Sequence, residues 1–421
     1  PKPGRRRSRH LASTDSMGNQ LGSVQPDYNN LPELQQLAFV ERLGGGRFLK
    51  TLKYAMSVGG SGAPAQLLAV KVYFKRTPNE KLAPYLEMLT EVRARLSAEA
   101  APNVMPFRWF RETTHVAYLA RQYLHSTLLE RAATPPFLSH DEKLWVAFQL
   151  LSALSQCHAA GVVHGDIKGE NVLLTSGHWV LLTDLGNFKP ALLPVDDPAD
   201  FSFYFDGGGT RRSCYLAPER FAEAPLASHP AAQAGLQPAM DVFSAGCVLL
   251  ELLLECGPAF DLPKLLRYRK GEGAGELRAL LQRVSPPPLA DTLLRMVALS
   301  PEERPTAAEC LSSLRGCVLP EAFYSFAHGF FGQLRLLDHE RQAAEVCDQY
   351  ASLIARLGPK GTRCGEGEAG GDDSAEPPPA HADGAAAYLL RVEARLRDEA
   401  GEPAAGEGGG GSGGGEAAAA C

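Results

Sequence analysis

The sequence predicts an α+β protein of two lobes, a small β-rich lobe followed by a large helical lobe, a further helical segment and a disordered tail. Between residues 37 and 74, short runs of β-branched and aromatic residues are separated by Gly-, Ser- and Pro-rich turns, which is typical of antiparallel strands. After residue 139, apolar residues recur at helical spacing in successive segments that Pro- and Gly-rich loops separate. With 421 residues, 45% of them hydrophobic, the chain can bury a large core.

The small lobe is predicted to contain one helix among its strands. Its helix carries Leu86, Leu89, Val92 and Leu96 on one side. The strands are rich in apolar residues, and glycines mark the first two turns. The elements are expected at 39–43, 48–56 and 67–73 for three strands, 82–96 for the helix and 116–123 for the next strand.

The large lobe is predicted to begin with a long helix. Ser139 can cap its N-terminus, Asp141 and Glu142 suit the first turn, and the helix is expected to end near Gly161. Further helices fit residues 240–256, 277–284, 289–299, 306–314 and 323–357.

Composition divides the chain into five segments. The first methionine is Met17, so the residues before it are expected to be an upstream extension. The last segment is dominated by Gly, Ala, Pro and Glu, and it has too few large apolar residues to offset the entropy lost on ordering. The predicted segments are 1–16 as the extension, 17–36 at the N-terminus, 37–318 for the two lobes, 319–357 for a helical continuation and 358–421 for the disordered tail.

Gly18, which follows Met17, is a candidate lipidation site. A glycine exposed by removal of methionine can accept a myristoyl chain. The usual Ser/Thr position of that motif holds Gly22, and Ser23 comes one residue late. A chance Met-Gly pair is therefore the alternative.

Overall composition argues against several classes of function. A net charge of −6 and a pI of about 6.0 do not favour a nucleic-acid partner. The nine cysteines include no C-x-x-C pair, which favours reduced thiols over a zinc site. The longest apolar run, residues 242–254, is interrupted by Glu251 and is too short for a membrane span, so it predicts a buried helix.

Leu43, Gly44, Gly45 and Gly46 form a candidate phosphate-binding turn. Small residues let backbone N–H groups approach phosphate oxygens closely. Leu49 occupies the third glycine position of the usual spacing, and a flexible hairpin turn is the other interpretation.

Lys71 lies in an otherwise apolar strand, where a buried ammonium group needs an anionic partner. Glu91 in the following helix is the preferred partner, and Glu87, one turn earlier, is the alternative. A lysine that extends to solvent from the end of a strand is the simpler interpretation of Lys71 taken alone.

The segment VHGDIKGENV, residues 163–172, carries the residues of a phosphoryl-transfer site. Asp166 can accept a hydroxyl proton, and Lys168 can neutralise a phosphate. Asn171 and Asp184 offer oxygen ligands that would converge on Mg²⁺.

Three later residues are predicted to have structural roles. Glu219 and Arg304 are expected to form a bidentate ion pair between the end of one loop and a distant helix. Asp241 opens the segment DVFSAGC, at the start of the apolar helix.

Taken together, these motifs resemble the protein-kinase signature set. The strings HGDIKGENV, WVLLTD, FKP, DPADF and RRSCYLAPERF resemble, more closely, the kinase-like regulatory subunits of the class III phosphatidylinositol 3-kinase. The resemblance extends from residue 17 to about residue 336, because MGNQL at Met17 is similar to the amino terminus of that family.

The resemblance implies a bilobal kinase fold that uses ATP, with GTP as an open alternative, and Mg²⁺ for transfer of phosphate to Ser or Thr. Lys71 with Glu91 would hold the nucleotide phosphates. A nucleotide-binding scaffold that restrains the lipid kinase is the alternative function.

The resemblance also implies partners and a location. These are the lipid-kinase catalytic subunit, autophagy or endosomal adaptors, and a myristoyl anchor on Gly18 to endosomal, vacuolar or autophagosomal membranes from the cytoplasm. The segment 319–357 would begin a helical repeat region.

Four positions depart from the common kinase pattern. Gly165 replaces an arginine that usually grips a phosphorylated activation loop, and Leu49 replaces a glycine. Arg212, with Ser213 beside it, replaces a threonine that usually bridges the catalytic Asp and Lys. Arg121 occupies the gatekeeper position behind the nucleotide base.

Overall fold

The computed structural model describes most of the chain between residues 34 and 346. The described residues are 34–45, 48–57, 65–75, 77, 80–186, 189–205, 213–223, 226, 235–255, 257–338 and 341–346. The predictions for Gly18, Gly46 and Arg212, for residues 1–16 and 358–421, and for nearly all of residues 17–36 lie outside them.

Along the chain, a part rich in strands comes first and a part rich in helices follows, as predicted. The strands are β1 (Ala38–Gly45), β2 (Leu49–Met56), β3 (Gln66–Phe74), β4 (Val104–Met105), β5 (Trp109–Glu112), β6 (Val116–Gln122), β7 (Ser126–Thr127), β8 (Val172–Leu174), β9 (Val180–Thr183), β10 (Leu193–Pro194) and β11 (Phe221–Ala222). The α-helices are α1 (Ala83–Arg95), α2 (Leu128–Ala133), α3 (His140–Ala159), α4 (Pro198–Tyr204), α5 (Pro238–Leu254), α6 (Leu262–Arg269), α7 (Ala274–Leu281), α8 (Pro287–Met296), α9 (Ala307–Leu314) and α10 (His328–Leu334).

The small lobe is an antiparallel five-stranded sheet in the order β1-β2-β3-β6-β5. Because side chains alternate along a strand, Val70 and Val72 of β3 enter an apolar cluster with Leu52 and Tyr118, whereas Lys71 between them points to the opposite face. The predicted strands are confirmed, and the face that carries Lys71 is turned to the cleft.

Helix α1 packs on this sheet by one side only. Leu89 contacts Phe107 and Leu119 of the sheet region, and Val92 joins the large-lobe core. The helix predicted at 82–96 is confirmed to within a residue at each end. Its opposite side faces solvent.

The large lobe is a helical bundle around α3 and α5. Ser139 and Glu142 form the predicted capping box at the start of α3, and most of that helix is buried. The predicted helices at 240–256, 277–284, 289–299 and 306–314 correspond to α5, α7, α8 and α9. The sequence did not predict α2, α4 and α6, which have only six to eight residues and little room for a periodic pattern.

A second, small sheet, in the order β4-β9-β8-β7, lies beneath the cleft. Strands β8 and β9 are antiparallel neighbours and every residue in them is buried. This hairpin fixes the distance between the segment before β8 and the segment after β9. It therefore positions the predicted catalytic loop beside Asp184.

The start of the segment after residue 318 packs on the large lobe. Phe323 lies edge-on to Trp145, with ring centroids 4.9 Å apart, and His328 stacks on Trp179 at 5.3 Å. Whether a repeat region begins here stays a prediction. Within the residues described above, none of the helices has the length and apolarity needed to span a bilayer.

Candidate active site

A cavity of about 530 Å³ lies between the lobes. Strands β1, β2, β3 and β6 contribute its roof, and the segments before β8 and after β9 contribute its floor. The predicted site residues on its wall are Leu43, Gly44, Lys71, Asp166, Lys168, Asn171 and Asp184. The fold thus brings together residues that are more than a hundred positions apart in the sequence.

Leu43 and Gly44 of the glycine-rich turn line the roof of this cavity. Gly44 is in β1, and an added Cβ there would meet nothing within 4 Å. Gly45 ends β1. Phe48 and Leu49 return the chain into the sheet and line the cavity, so apolar side chains follow the glycines.

The predicted ion pair between Lys71 and Glu91 is wrong in this structure. Lys71 Nζ lies 2.9 Å from Asp184 Oδ2, whereas Glu91 is exposed and pairs with Arg95. Helix α1 turns Leu89 and Val92 inward. Glu91 lies between these two positions in the sequence and, at 3.6 residues per turn, on the outward side of the helix. Glu91 does not line the cavity, and the alternative partner Glu87 is exposed as well.

Asp241 fixes the backbone of the catalytic loop from below. Its two carboxylate oxygens accept the N–H groups of His164 at 2.7 Å and Gly165 at 2.8 Å. The ring of His164 reaches the Thr183 carbonyl at 2.9 Å. The loop is therefore held both to α5 and to the end of β9.

Asp166 is held by donors on three sides. Asn171 Nδ2 donates to its carbonyl at 2.7 Å and to its Oδ2 at 3.0 Å. Lys168 Nζ is 3.9 Å from the same Oδ2, and Lys189 Nζ is only 2.6 Å from it. The nearest cation to the candidate base is thus Lys189, which sequence reasoning did not assign to the site.

The charges of this cluster shift two pKa values. Burial alone would raise the pKa of Asp166, but Lys168 and Lys189 lower it to about 2. Burial lowers the pKa of Lys189 to about 8, although Asp166 opposes that shift. The Lys189 ammonium also lies 4.6 Å from the centroid of the Phe205 ring.

Asp184 accepts hydrogen bonds from two cations of the small lobe. Arg121 Nε donates to Oδ1 at 3.0 Å and Arg121 Nη2 to Oδ2 at 3.2 Å, while Lys71 bonds Oδ2. Burial raises the pKa of Asp184, but Arg121 and Lys71 lower it more strongly, to well below its usual range. Asp184 therefore stays ionised in this site.

The structure contains the predicted bidentate pair of Glu219 and Arg304, at 2.7 and 2.8 Å. The Arg304 side chain is fully buried and also donates to carbonyls around it. This pair anchors the 3₁₀ turn Pro218–Arg220 to the large lobe.

Arg220, in the same turn, was not predicted to have a role. Its guanidinium donates to the carbonyls of Gly165 at 2.6 Å, Pro190 at 2.7 Å and Ala191 at 2.9 Å. It is buried and stacks over Phe205. A single side chain thus ties the catalytic loop to the segment that carries Lys189.

The two-lobed fold with its residues in the cleft agrees with the family to which the sequence is matched. The sequence matches the protein kinase domain family over residues 39–314. The chain belongs to the protein kinase family. The match includes both lobes and the cleft residues described above.

Several proteins named as serine/threonine kinases are similar to this chain. The serine/threonine-protein kinase VPS15 of Arabidopsis thaliana is 43% identical over 338 residues, which are 80% of this chain and 22% of that protein. The probable serine/threonine-protein kinase vps15 of Dictyostelium discoideum is 41% identical over 80% of this chain and 17% of its own length. The Saccharomyces cerevisiae VPS15 is 35% identical over 73% of this chain and 20% of its own length. The chain spans about a fifth of these relatives.

Protein kinases in general use ATP and Mg²⁺. In this kinase, Asn171 and Asp184 have the oxygen atoms that Mg²⁺ prefers, but both carboxylate oxygens of Asp184 already accept bonds from Arg121 and Lys71. A divalent cation on those oxygens would lie beside two fixed positive charges. In this arrangement the pair does not fit the metal ion, contrary to the sequence prediction.

Helix α4 belongs to the activation segment, residues 184–219, and lies beside the cleft. Phe48, beside the glycine-rich turn, packs against Phe203 and Tyr204 of α4, with ring centroids 5.9 and 5.0 Å apart. Tyr73 completes the cluster at 5.2 Å from Phe48. Helix α4 therefore bridges the two lobes beside the cavity.

Proposed function

We propose that this protein is a serine/threonine-kinase-like regulatory protein that binds a nucleoside triphosphate in the cleft and holds its phosphoryl-transfer residues in a blocked arrangement. The observation that carries the proposal is the 2.6 Å contact between Lys189 Nζ and Asp166 Oδ2. A general base must be within hydrogen-bond distance of the hydroxyl that it deprotonates. In this structure Lys189 takes that place.

Two further features support a blocked cleft. The Lys71–Glu91 pair, which active kinases need, is replaced by the Lys71–Asp184 pair. The α4 aromatic residues close the front of the cleft on Phe48. Both features leave the cavity itself open to a nucleotide, because neither fills the 530 Å³ space.

Phosphoryl transfer to Ser or Thr is the second candidate function. It is favoured by the ordered catalytic loop, in which Asn171 orients Asp166 and Lys168 lies nearby. In this function Lys189 would leave Asp166, which would then accept the substrate hydroxyl proton, while Lys168 would neutralise the transferred phosphate.

A phosphotransfer assay with radiolabelled ATP separates the two functions. If Asp166 is blocked, wild-type protein transfers no more phosphate than Asp166→Asn, while Lys189→Met transfers more than wild type. Lys189→Arg is the matched control, since it keeps the cation and should stay as inactive as wild type. Wild-type transfer well above that of Asp166→Asn would instead establish the second function.

Nucleotide binding needs its own measurement. We expect ATP to raise the melting temperature of wild-type protein and Lys71→Ala to abolish that rise, because the Lys71 ammonium lines the roof of the cavity and would contact the phosphates. GTP in parallel addresses nucleotide preference. No thermal shift with either nucleotide would contradict the proposal.

The wider role follows from the resemblance and the VPS15 relatives. We propose that the protein regulates a class III phosphatidylinositol 3-kinase, together with an autophagy or endosomal adaptor, in vacuolar and endosomal sorting. Gly18 would carry a myristoyl group that helps attach the assembly to endosomal, vacuolar or autophagosomal membranes from the cytoplasm. Co-purification with the lipid kinase and membrane fractionation of Gly18→Ala test these two points separately.

A further inference from the structure

Arg121 and Lys71 reach the same point of the cleft because of the register of the sheet. In the β3–β6 pairing, Lys71 is opposite Leu119 and Ala69 is opposite Arg121. Residues two apart on a strand share a face, so both cations project from the roof toward the floor. They meet Asp184, which is 63 residues beyond Arg121 in the sequence.

The guanidinium of Arg121 is rigidly held. Two of its nitrogens bond the Asp184 carboxylate, and the third, Nη1, donates to the Gln122 carbonyl at 3.1 Å. The Arg121 side chain is 7% exposed and that of Asp184 is 5% exposed. A planar guanidinium in such a fork is a strong and geometrically specific partner for a carboxylate.

This cluster carries more positive than negative charge. Two cations, Lys71 and Arg121, surround the single carboxylate of Asp184, whose side chain is largely buried. A buried excess of charge is costly unless an anion is near. Arg121 thus places a fixed positive charge at the carboxylate where a kinase would hold a divalent cation. A nucleoside triphosphate supplies the missing anion.

We propose that Arg121 takes the place of the divalent metal ion, so that the cleft binds a nucleoside triphosphate without Mg²⁺. The inference rests on the proposed nucleotide binding. It adds that Arg121, rather than a metal ion, balances the negative charge of the phosphates. Lys71 and Arg121 would face the phosphates from the roof, with Asp184 holding the arginine in position rather than holding a metal.

Calorimetric titration of the full chain with a non-hydrolysable ATP analogue tests the proposal, in buffer with Mg²⁺ and in buffer with EDTA. Wild-type affinities should agree within about threefold. Arg121→Leu, which puts an apolar side chain of a common strand residue in the same place, should bind at least about tenfold more weakly in EDTA than in Mg²⁺. Arg121→Lys keeps a cation and should stay metal-independent.

The outcomes distinguish this inference from the proposed function. Wild-type binding that falls tenfold or more in EDTA overturns the role of Arg121 but leaves nucleotide binding intact. No binding in either buffer overturns both.

A measurement that does not need Arg121→Leu covers the case in which that variant does not fold. Titration of nucleotide-free protein with Mn²⁺, followed by electron paramagnetic resonance, should show no ion bound at Asp184 in the submillimolar range. Tight one-to-one Mn²⁺ binding that Asp184→Asn removes would refute the inference.

Discussion

Asp166 and Asp184 are each held by a cation that lies outside the motif containing the carboxylate. Lys189 reaches Asp166 from 23 positions along the chain, and Arg121 reaches Asp184 from another lobe. Both carboxylates are buried, so their partners are worth far more than exposed ones would be. At this scale the site is defined by ion pairing as much as by the motif.

The pKa of Lys189 predicts a pH dependence. Below about pH 8 its ammonium is charged and holds Asp166, and above that value the amine becomes neutral and the ion pair is lost. Wild-type phosphotransfer should therefore rise between pH 7 and pH 9. Lys189→Met, measured over the same range, should lack that rise, and parallel profiles for the two proteins would contradict the assignment.

Gly165 is required by its backbone conformation. Its φ of +74° is in the left-handed region, and a Cβ there would lie 2.4 Å from Leu236 Cδ1. Leu236 can move, so the strain of the backbone dominates, and Gly165→Ala should lower the free energy of unfolding by about 1 kcal/mol or more. Chemical denaturation measures this, with Gly177→Ala, which has open space around it, as a control that changes stability little.

At the scale of elements, the 3₁₀ turn Pro218–Arg220, at the end of the activation segment, is bonded to the catalytic loop and to the large lobe. Arg220 donates to the carbonyls of Gly165 in the catalytic loop and of Pro190. Glu219 beside it is fixed by Arg304. Gly165 cannot contribute the arginine that usually grips a phosphorylated loop. Arg220 supplies a positive charge from the opposite end of the segment instead.

Arg220→Met should lower the free energy of unfolding by roughly 3 kcal/mol, because it removes charged hydrogen bonds and leaves buried carbonyls without donors. Denaturant titration measures the loss. Arg315→Met is the matched control, since the pair of Arg315 with Glu321 is exposed and should matter little. Equal effects of the two substitutions would show that Arg220 is not a brace.

At the scale of the whole molecule, the segment after residue 318 belongs to the core of the large lobe. Val318, Leu319, Phe323 and Ala327 are buried in the same cluster as α3 and α5. Trp145 contacts rings from both parts, since Trp179 and Phe323 lie edge-on to it. A kinase lobe that ended before this segment would expose these aromatic faces.

Phe323→Ala should therefore destabilise the protein by about 3–5 kcal/mol, the usual cost of removing a buried aromatic side chain. Thermal and denaturant unfolding report the change. Phe137→Ala, which truncates a phenylalanine that is 62% exposed, should alter stability by less than about 0.5 kcal/mol. Similar losses for the two variants would mean that the segment does not stabilise the lobe.

Much of this molecule was predictable from local sequence patterns. Helices of thirteen residues or more have clear periodicity, as α1, α3 and α5 show, and α3 also begins with a capping box. The glycines and apolar runs mark β1, β2 and β3. Short elements such as α4 and β4 were not predicted, because a few residues carry too little periodicity. The catalytic loop was recognisable because its chemistry needs fixed residue types at fixed spacing.

The sequence by itself determined the two-lobed fold, the catalytic loop with Asp166 and the membership of the kinase family. Only the tertiary structure decided that Lys71 and Arg121 share Asp184, that Lys189 covers Asp166 and that Glu91 faces solvent. The physical reason is that the sequence allows several different ion pairs between these carboxylates and cations, and local patterns do not distinguish between them. Which of them pair depends on strand register and on the buried side of each helix, and these are set by packing across the whole chain.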